Sequence, residues 1–388
     1  MNKITYLDNA ATTSLDPAVL EAMVPYMTIN YGNPSSSYSI GRQSRMAVES
    51  ARKQVADLLG AKATNIYFTS GGTESNNTAI TSAVRDLGCT HIITSPTEHH
   101  AVLHSVEHQC NCAGVTSSYV KLLPLGAVDF SDLEAQLADK AALGVKCLVS
   151  LMHANNEIGT LLDINRASEI CNRYGAIFHS DCVQTIGHYP INLAASGVHF
   201  ASASGHKFHG PKGTGILYVS DGINFSPLIY GGGQERRKRA GTENVHGIIG
   251  FAKALSMAMD NQAEEEKYIR SLNNHMRAAL SAMSPEITFN STETSLYTVL
   301  SVNFPSIKDS ELLLTFLDQM SVCASGGSAC STGDEQGSHV IAAIGKKIGC
   351  ATIRFSFSRM TKEEDVDFAV KAISNILELF GNAEVTAG

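Results

Sequence analysis

From about residue 65 to residue 220 short apolar runs alternate with stretches of helical periodicity, and this alternation restricts the fold more than any other feature of the chain. The runs are "NIYFTS" (65–70), "HIITS" (91–95), "KCLVSLM" (146–152), "AIFHS" (176–180), "HFASAS" (199–204) and "TGILYVS" (214–220). Each has the length of a strand. Helix-like segments such as "ESNNTAITSAVRDLG" (74–88) and "INRASEICNRYG" (164–175) lie between them. Strands that alternate with helices build βαβ units and a mostly parallel sheet. Right-handed crossovers then place the helices on both faces.

A chain of 388 residues outgrows one core, so two domains are expected. After residue 260 the texture changes. Ile269, Leu272, Met276 and Leu280 recur at helical spacing over 264–283, and "LYTVLSVNF" (296–304) and "TIRFSFS" (352–358) read as strands. The segment from Thr361 opens with a capping box, Thr361 and Glu364. It carries Val366, Val370, Ile373, Leu377 and Phe380 on one face, and Gly381 can end it. The expected division is a large α/β domain over 15–260 and a smaller α+β domain over 1–14 and 261–388. The sequence shows neither repeats nor low-complexity tracts.

The net charge of −8 disfavours nucleic acid or an anionic membrane as the main partner, because both attract basic surfaces. The opening stretch is not expected to be a signal peptide, because its lysine is followed by no apolar run. No apolar run approaches the ~18–20 residues of a membrane span. Nine scattered cysteines suit a reducing cytoplasm better than a disulfide framework. Cys110 and Cys112 alone are closely spaced, and C-x-C by itself is a weak metal signal, so no metal is expected.

The chemistry-bearing residues follow the strands, where open α/β sheets bind ligands. After "NIYFTS" come Gly71, Gly72 and Thr73, which let backbone approach an anion where a helix begins. After "HIITS" come His99 and His100. Asn155 and Asn156 follow "KCLVSLM", Asp181 and Gln184 follow "AIFHS", and Lys207 follows "HFASAS". Singly, each has an ordinary reading: Asp181 as a helix cap, His99 as a core histidine, the asparagines and glycines as turns. Lys207 is harder to explain away, since it sits among small residues in "SGHKFHGPKG" (204–213). A desolvated lysine has a lowered pKa and forms Schiff bases. A lysine for an aldehyde, an Asp for a pyridinium nitrogen and a helix N-terminus for a phosphate together match pyridoxal 5′-phosphate. Neither "GPKGTG" nor "GGGQERRKRAGT" has P-loop spacing.

The motifs "YLDNAATT" (6–13), "YGNPSS" (31–36), "FTSGGTESNN" (68–77), "TEHHAVL" (97–103), "HANNEIG" (153–159), "HSDCVQTIG" (179–187), "SGHKFHGPKG", "GGGQERRKRAGT" (231–242), "SGGSACS" (325–331) and "TIRFSFSR" (352–359) occur in series. In this series the chain resembles the pyridoxal-phosphate-dependent cysteine desulfurases, class V aminotransferase-like enzymes that supply sulfur for iron–sulfur clusters. The resemblance implies fold type I, with a seven-stranded type of sheet in the large domain, and a cytoplasmic homodimer with shared active sites. It implies L-cysteine as substrate and a sulfur-acceptor or iron–sulfur scaffold protein as partner.

By the same resemblance, Lys207 would carry the cofactor's aldehyde, His99 would stack on its ring and assist proton transfer, and Asp181 would pair with the ring nitrogen. Gln184 and Asn156 would lie near its phenolic oxygen. Gly72, Thr73, Ser204 and His206 would hold the phosphate, with Thr242 reaching in from the partner subunit. Arg354, with Asn156 nearby, would take the substrate carboxylate. Cys330 would be the nucleophile that accepts sulfur as a persulfide. The family often reads S-S-G-S-A-C-T-S there, where this chain has Ser325-Gly326-Gly327-Ser328-Ala329-Cys330-Ser331-Thr332. A selenocysteine lyase or aminotransferase of the same fold is the alternative, and a scaffold binding through "RRKR" (236–239) is the non-catalytic one. Cys182, beside Asp181, has no role in this reading.

Overall fold

The computed structural model describes residues 4–307, 309–326, 338–345 and 350–386. Its strands, in chain order, are β1 (Thr5–Tyr6), β2 (Ile66–Thr69), β3 (His91–Thr94), β4 (Thr116–Tyr119), β5 (Cys147–Ser150), β6 (Ile177–Asp181), β7 (Phe200–Ser204), β8 (Gly215–Val219), β9 (Thr288–Phe289), β10 (Val299–Phe304), β11 (Val322–Cys323) and β12 (Ala351–Ser356). Seven of them form one sheet in the order β2-β8-β7-β6-β5-β3-β4. The run from β7 to β4 is parallel, and β8 is antiparallel to both of its neighbours. The fold is the expected α/β architecture, with a mostly parallel sheet. All six apolar runs contain strands, with ends moved by up to two residues.

Side chains alternate across this sheet with a period of two. In β5, Cys147 and Val149 enter one core while Leu148 enters the other; in β8, Ile216 and Tyr218 face one way and Leu217 and Val219 the other. Burial on both faces explains why these strands read as continuous apolar runs. β4 went unpredicted because its sequence, TSSY, is polar and lies on the sheet edge with little buried. The helices Pro17–Thr28 and Ser39–Leu58 precede the sheet and pack on helix Val245–Asp260.

A separate core gathers Ile269, Leu272, Met276, Leu300, Ile353, Phe355, Val366 and Ile373 around the antiparallel strands β12-β10-β9. Leu7 belongs to it, because β1 pairs in parallel with β11. The last helix spans Glu363–Thr386 and so runs past Gly381, which does not end it. The side chain of Phe380 lies outside the described residues. Its start is also one residue later than the expected capping box: Asp365 accepts the Lys362 amide at 2.9 Å, and the Thr361 hydroxyl accepts from Ser358 N at 3.0 Å.

The two cores are joined through residues 8–13. Asp8 pairs with Arg354 at 2.7 Å, Asn9 Nδ2 donates to Ser356 O at 2.9 Å, and Thr13 Oγ1 donates to His206 O at 2.9 Å.

A buried ion pair fixes the loop that carries Thr242. Glu235, Arg236 and Arg237 have φ of 44°, 56° and 65°, each costing roughly 1–2 kcal/mol in a non-glycine residue. Arg52 grips both oxygens of Glu235 at 2.7 Å, and the Phe68 amide donates to Glu235 Oε2 at 2.9 Å. Both side chains are buried. Breaking such a pair leaves an uncompensated charge, so Glu235→Ala is expected to cost about 3–5 kcal/mol in urea unfolding. Replacing both partners with Arg52→Met and Glu235→Leu should restore more than half of the loss. A single substitution costing under about 1 kcal/mol would refute the anchoring role.

Candidate active site

Strands β3, β5, β6 and β7 are parallel, so their carboxyl ends open on one edge of the sheet. A cavity of ≈ 260 Å³ lies there. Gly72, Thr73, His99, Asn156, Asp181, Gln184, Ser204, His206, Lys207 and Arg354 all line it. Two of the expected site residues are not among them. Thr242 is exposed on the surface, and Cys330 lies outside the described residues.

Lys207 ends a short 3₁₀ turn, Gly205–Lys207, that follows β7. Its Nζ donates to the carbonyls of Ala10 at 2.5 Å and Ala11 at 2.8 Å. The turn is anchored by Gly210 N donating to Gly205 O at 2.9 Å, and small residues are required because a Cβ on Gly210 would lie 2.7 Å from that carbonyl. His188 meets the Lys207 carbonyl at 3.0 Å, which completes the support from below.

Asp181 is the last residue of β6 and is buried. Its Oδ2 accepts from Asn76 Nδ2 at 2.6 Å and its Oδ1 from Val183 N at 2.9 Å. Beneath it His179 lies between Ser150 at 2.8 Å and Ser202 at 3.3 Å, and burial pushes its pKa down to about 4, so it adds no positive charge.

His99 caps helix His100–Ala113: its Nδ1 accepts from Ala101 N at 3.0 Å. In neutral His99 the proton therefore sits on Nε2. Burial holds this imidazole below its usual pKa. Asp181 opposes the shift, and Lys207, His100 and His339 reinforce it. Gln184 Nε2 is held by the Ala10 carbonyl at 3.1 Å.

The anion site is built from the helix Gly72–Arg85 and the end of β7. Gly71, with φ +151°, turns the chain from β2 into the helix in a region that only glycine occupies readily. A Cβ on Gly215, in the neighbouring strand, would come 2.7 Å from Gly71 Cα, so this turn and β8 touch backbone to backbone. The free amides at the helix start, the Thr73 and Ser204 hydroxyls and the His206 ring converge there. Burial, with Lys207 and then Lys212, takes His206 down to about pKa 4. Arg354 is buried on β12 and held by Asp8 Oδ1 at 2.7 Å and Asn156 O at 2.9 Å.

The donor set fits pyridoxal 5′-phosphate: an amine, a carboxylate fixed by two donors, a ring-sized wall at His99 and a neutral anion cradle. Its dimensions suit an aromatic ring bearing one phosphate.

Several lining residues were not anticipated: Ala10, Ala11, Asn76, Met152, Val183, Glu157 and His339. Asn76 lies one turn along the helix from Gly72, on the same face, so helical spacing offered a signal. His339 had none, because only the tertiary fold brings it to His100, with ring centroids 4.6 Å apart. His100, noted only as a neighbour of His99, also lines the cavity. Cys182 is fully buried and burial pushes its thiol up to about 12, so it is a packed core side chain. Cys110 and Cys112 lie two residues apart on one helix and therefore point to different sides. Among the described residues no cysteine lines the cavity, and no cluster of three or more metal-ligating side chains occurs.

The aminotransferase class-V family model matches residues 5–368. The chain is 42% identical over 390 residues to the cysteine desulfurase IscS of Methanosarcina thermophila, covering 98% of this chain and 94% of the relative. A solved NifS-like protein superposes with a TM-score of 0.89 at 35% identity, over 97% of this chain and all of the other. SspA in complex with cysteine superposes with a TM-score of 0.76 at 30% identity, over 91% of this chain and 98% of the other. With this similarity extending through every motif that lines the cavity, the chain belongs to the aminotransferase class-V family and, within it, to the cysteine desulfurases.

Proposed function

We propose that the chain converts L-cysteine to L-alanine, that its sulfur passes to Cys330 as a persulfide, and that a sulfur-acceptor or iron–sulfur scaffold protein receives it. The observation that carries this reading is the convergence of Lys207, Asp181, His99, the anion cradle and Arg354 on one cavity. Bound there, pyridoxal 5′-phosphate supplies an aldehyde that captures the substrate amine and an electron sink that acidifies the Cα proton.

Each residue then has a defined task. The amides at Gly72 and Thr73, with Ser204 and His206, would hold the phosphate. Asp181, held in place by Asn76 and Val183 N, would pair with the ring nitrogen. Asn156 and Gln184 would lie near the phenolic oxygen. Arg354 orients the substrate carboxylate, and Asp8 and Asn156 O hold its guanidinium in advance of binding. Lys207 Nζ removes the Cα proton. His99 is neutral with Nε2–H available, and it carries protons between sulfur and carbon. The Cys330 thiolate attacks the substrate sulfur, because a thiol is a poor nucleophile. The new S–S bond takes the place of the Cβ–S bond, and a proton on Cβ completes alanine. Overall, cysteine and one thiol become alanine and one persulfide, with no external oxidant.

The chain on both sides of Cys330 is tied to the cavity. Ser325 pairs with Arg354 through backbone bonds of 3.2 and 2.7 Å. On the far side Ser338 donates to Glu157, and His339 lines the cavity. Division of the chain into 15–260 and 1–14 plus 261–388 is part of this reading and puts Lys207 and Cys330 in different domains.

We further assign a homodimer. Met27, Ile29, Tyr31, Met46 and Tyr230 are more than half exposed and offer apolar surface that a second copy would cover. The anion cradle is open beside Thr73, and Thr242 stands exposed on its ion-pair-anchored loop, suited to reach a second copy's cradle. A cytoplasmic location suits the buried thiols of Cys89, Cys147, Cys171 and Cys182, none of which is in a disulfide. No helix among the described residues is long and apolar enough to cross a membrane.

Three outcomes test the reading. Lys207→Ala should abolish turnover, and borohydride should no longer fix the cofactor to the chain. Fixation at another lysine would overturn the assignment. Cys330→Ser should bind cofactor and respond spectrally to cysteine, yet form no persulfide by mass spectrometry and release neither alanine nor sulfide above about a hundredth of the normal rate. Normal release of both would make Cys330 a bystander. Mixing and exchanging Lys207→Ala and Thr242→Ala subunits should restore up to about a quarter of the activity, because half the dimers then contain one intact site. Inactive hybrids from well-exchanged dimers would refute a shared site.

A further inference from the structure

Glu98 ends the turn after β3, one residue before His99, and is 1% exposed. Its Oε1 accepts from Met152 N at 2.7 Å. Its Oε2 is buried and has no protein partner. Its backbone carbonyl meets His339 Nε2 at 2.9 Å. Glu98 thus joins the end of β3 to the end of β5, where Met152 lines the active cavity, and to the helix His339–Ala343. It also borders a second, small cavity of ≈ 20 Å³, with Thr97, Asn155 and Thr160 on its wall.

Of the ionisable groups, Asp181 from β6 acts on this carboxyl and His339 meets the Glu98 carbonyl. No lysine or arginine borders the small cavity or hydrogen-bonds to Glu98 among the described contacts. A carboxylate buried without a cation is strongly disfavoured, and the Asp181 carboxylate makes a second negative charge worse.

We propose that Glu98 is a positioning residue that acts as a neutral carboxylic acid, clamping the Met152 end of β5 beneath the cofactor cavity without adding a negative charge beside Asp181. The protonated oxygen is Oε2, which faces no protein amide and has room nearby for one water molecule. Burial pushes the carboxyl well above its ordinary range; Asp181 adds to this, and the Met152 amide opposes it.

The linkage has a definite sign. A carboxyl whose folded pKa exceeds its unfolded value contributes its full stability below the unfolded value, about 4.3, and loses it as pH rises toward the folded one. Each pH unit in that window lowers the folding constant tenfold. Glutamine is isosteric with the neutral acid: its carbonyl can accept from Met152 N and its amide can occupy the place of the protonated oxygen.

The test compares thermal unfolding of wild type, Glu98→Gln and Glu98→Ala, with and without cofactor, from about pH 5 to about pH 9. At the acid end Glu98→Gln should match wild type, and Glu98→Ala should melt lower. As pH rises, Glu98→Gln should gain stability relative to wild type. At neutral pH it should keep kcat/KM within about threefold and leave the cofactor absorbance band unshifted, while Glu98→Ala loses activity. The proposal is overturned if Glu98→Gln is as damaged as Glu98→Ala at the acid end, or if its difference from wild type stays flat or reverses with pH. The melts do not depend on the desulfurase reading, so failure of that reading would leave their outcome decisive for Glu98.

Discussion

Parallel pairing of β3, β5, β6 and β7 is the constraint on which the site depends. Their carboxyl ends must open on the same edge, so a histidine, an amide, a carboxylate and a lysine from four separate places in the chain face one cavity. β8 returns antiparallel and presses Gly215 against Gly71, which sets the turn where the anion cradle begins. A side chain at Gly215 would collide with Gly71 and with the Ala203 carbonyl.

The second determinant is how charge is managed at that edge. His179, His206 and His153 are each pushed down to about pKa 4, chiefly by burial. They serve as neutral hydrogen-bonding groups. Two donors fix Asp181 in place, and burial pushes the carboxyls of Glu98 and Glu157 up. The chain segment 8–13 distributes these charges: Asp8 holds Arg354, while the carbonyls of Ala10 and Ala11 hold Lys207. Leu7, just before this segment, is packed in the C-terminal core.

Much of this was legible before any coordinates. Strands buried on both faces read as apolar runs, and residues following such runs stand at the ligand-binding edge whatever their distance in sequence. Nine of the ten expected residues that line the cavity lie at or just beyond strands of this sheet; Arg354, within β12, comes from the other sheet. The polar edge strand β4 escaped notice because edge position removes the apolar signal. Gly381 was misjudged because a helix docked on a core tolerates one glycine, whose cost of about 1 kcal/mol the packing of Val366, Ile373 and their neighbours offsets.

By itself, the sequence determined the fold class, through periodicity, and marked candidates for the reacting groups, through residue types that no packing argument explains. Lys207 in its small-residue turn and Cys330 in a Gly- and Ser-rich stretch are of that kind. Only the tertiary structure decided the protonation states and the long-range partners. That Glu98 is buried against Met152, that His339 stacks on His100, and that Asp8 secures Arg354 across 346 positions of chain all depend on where distant segments meet. The free energy of a charge is set by its surroundings in space, and sequence neighbours carry little information about those surroundings.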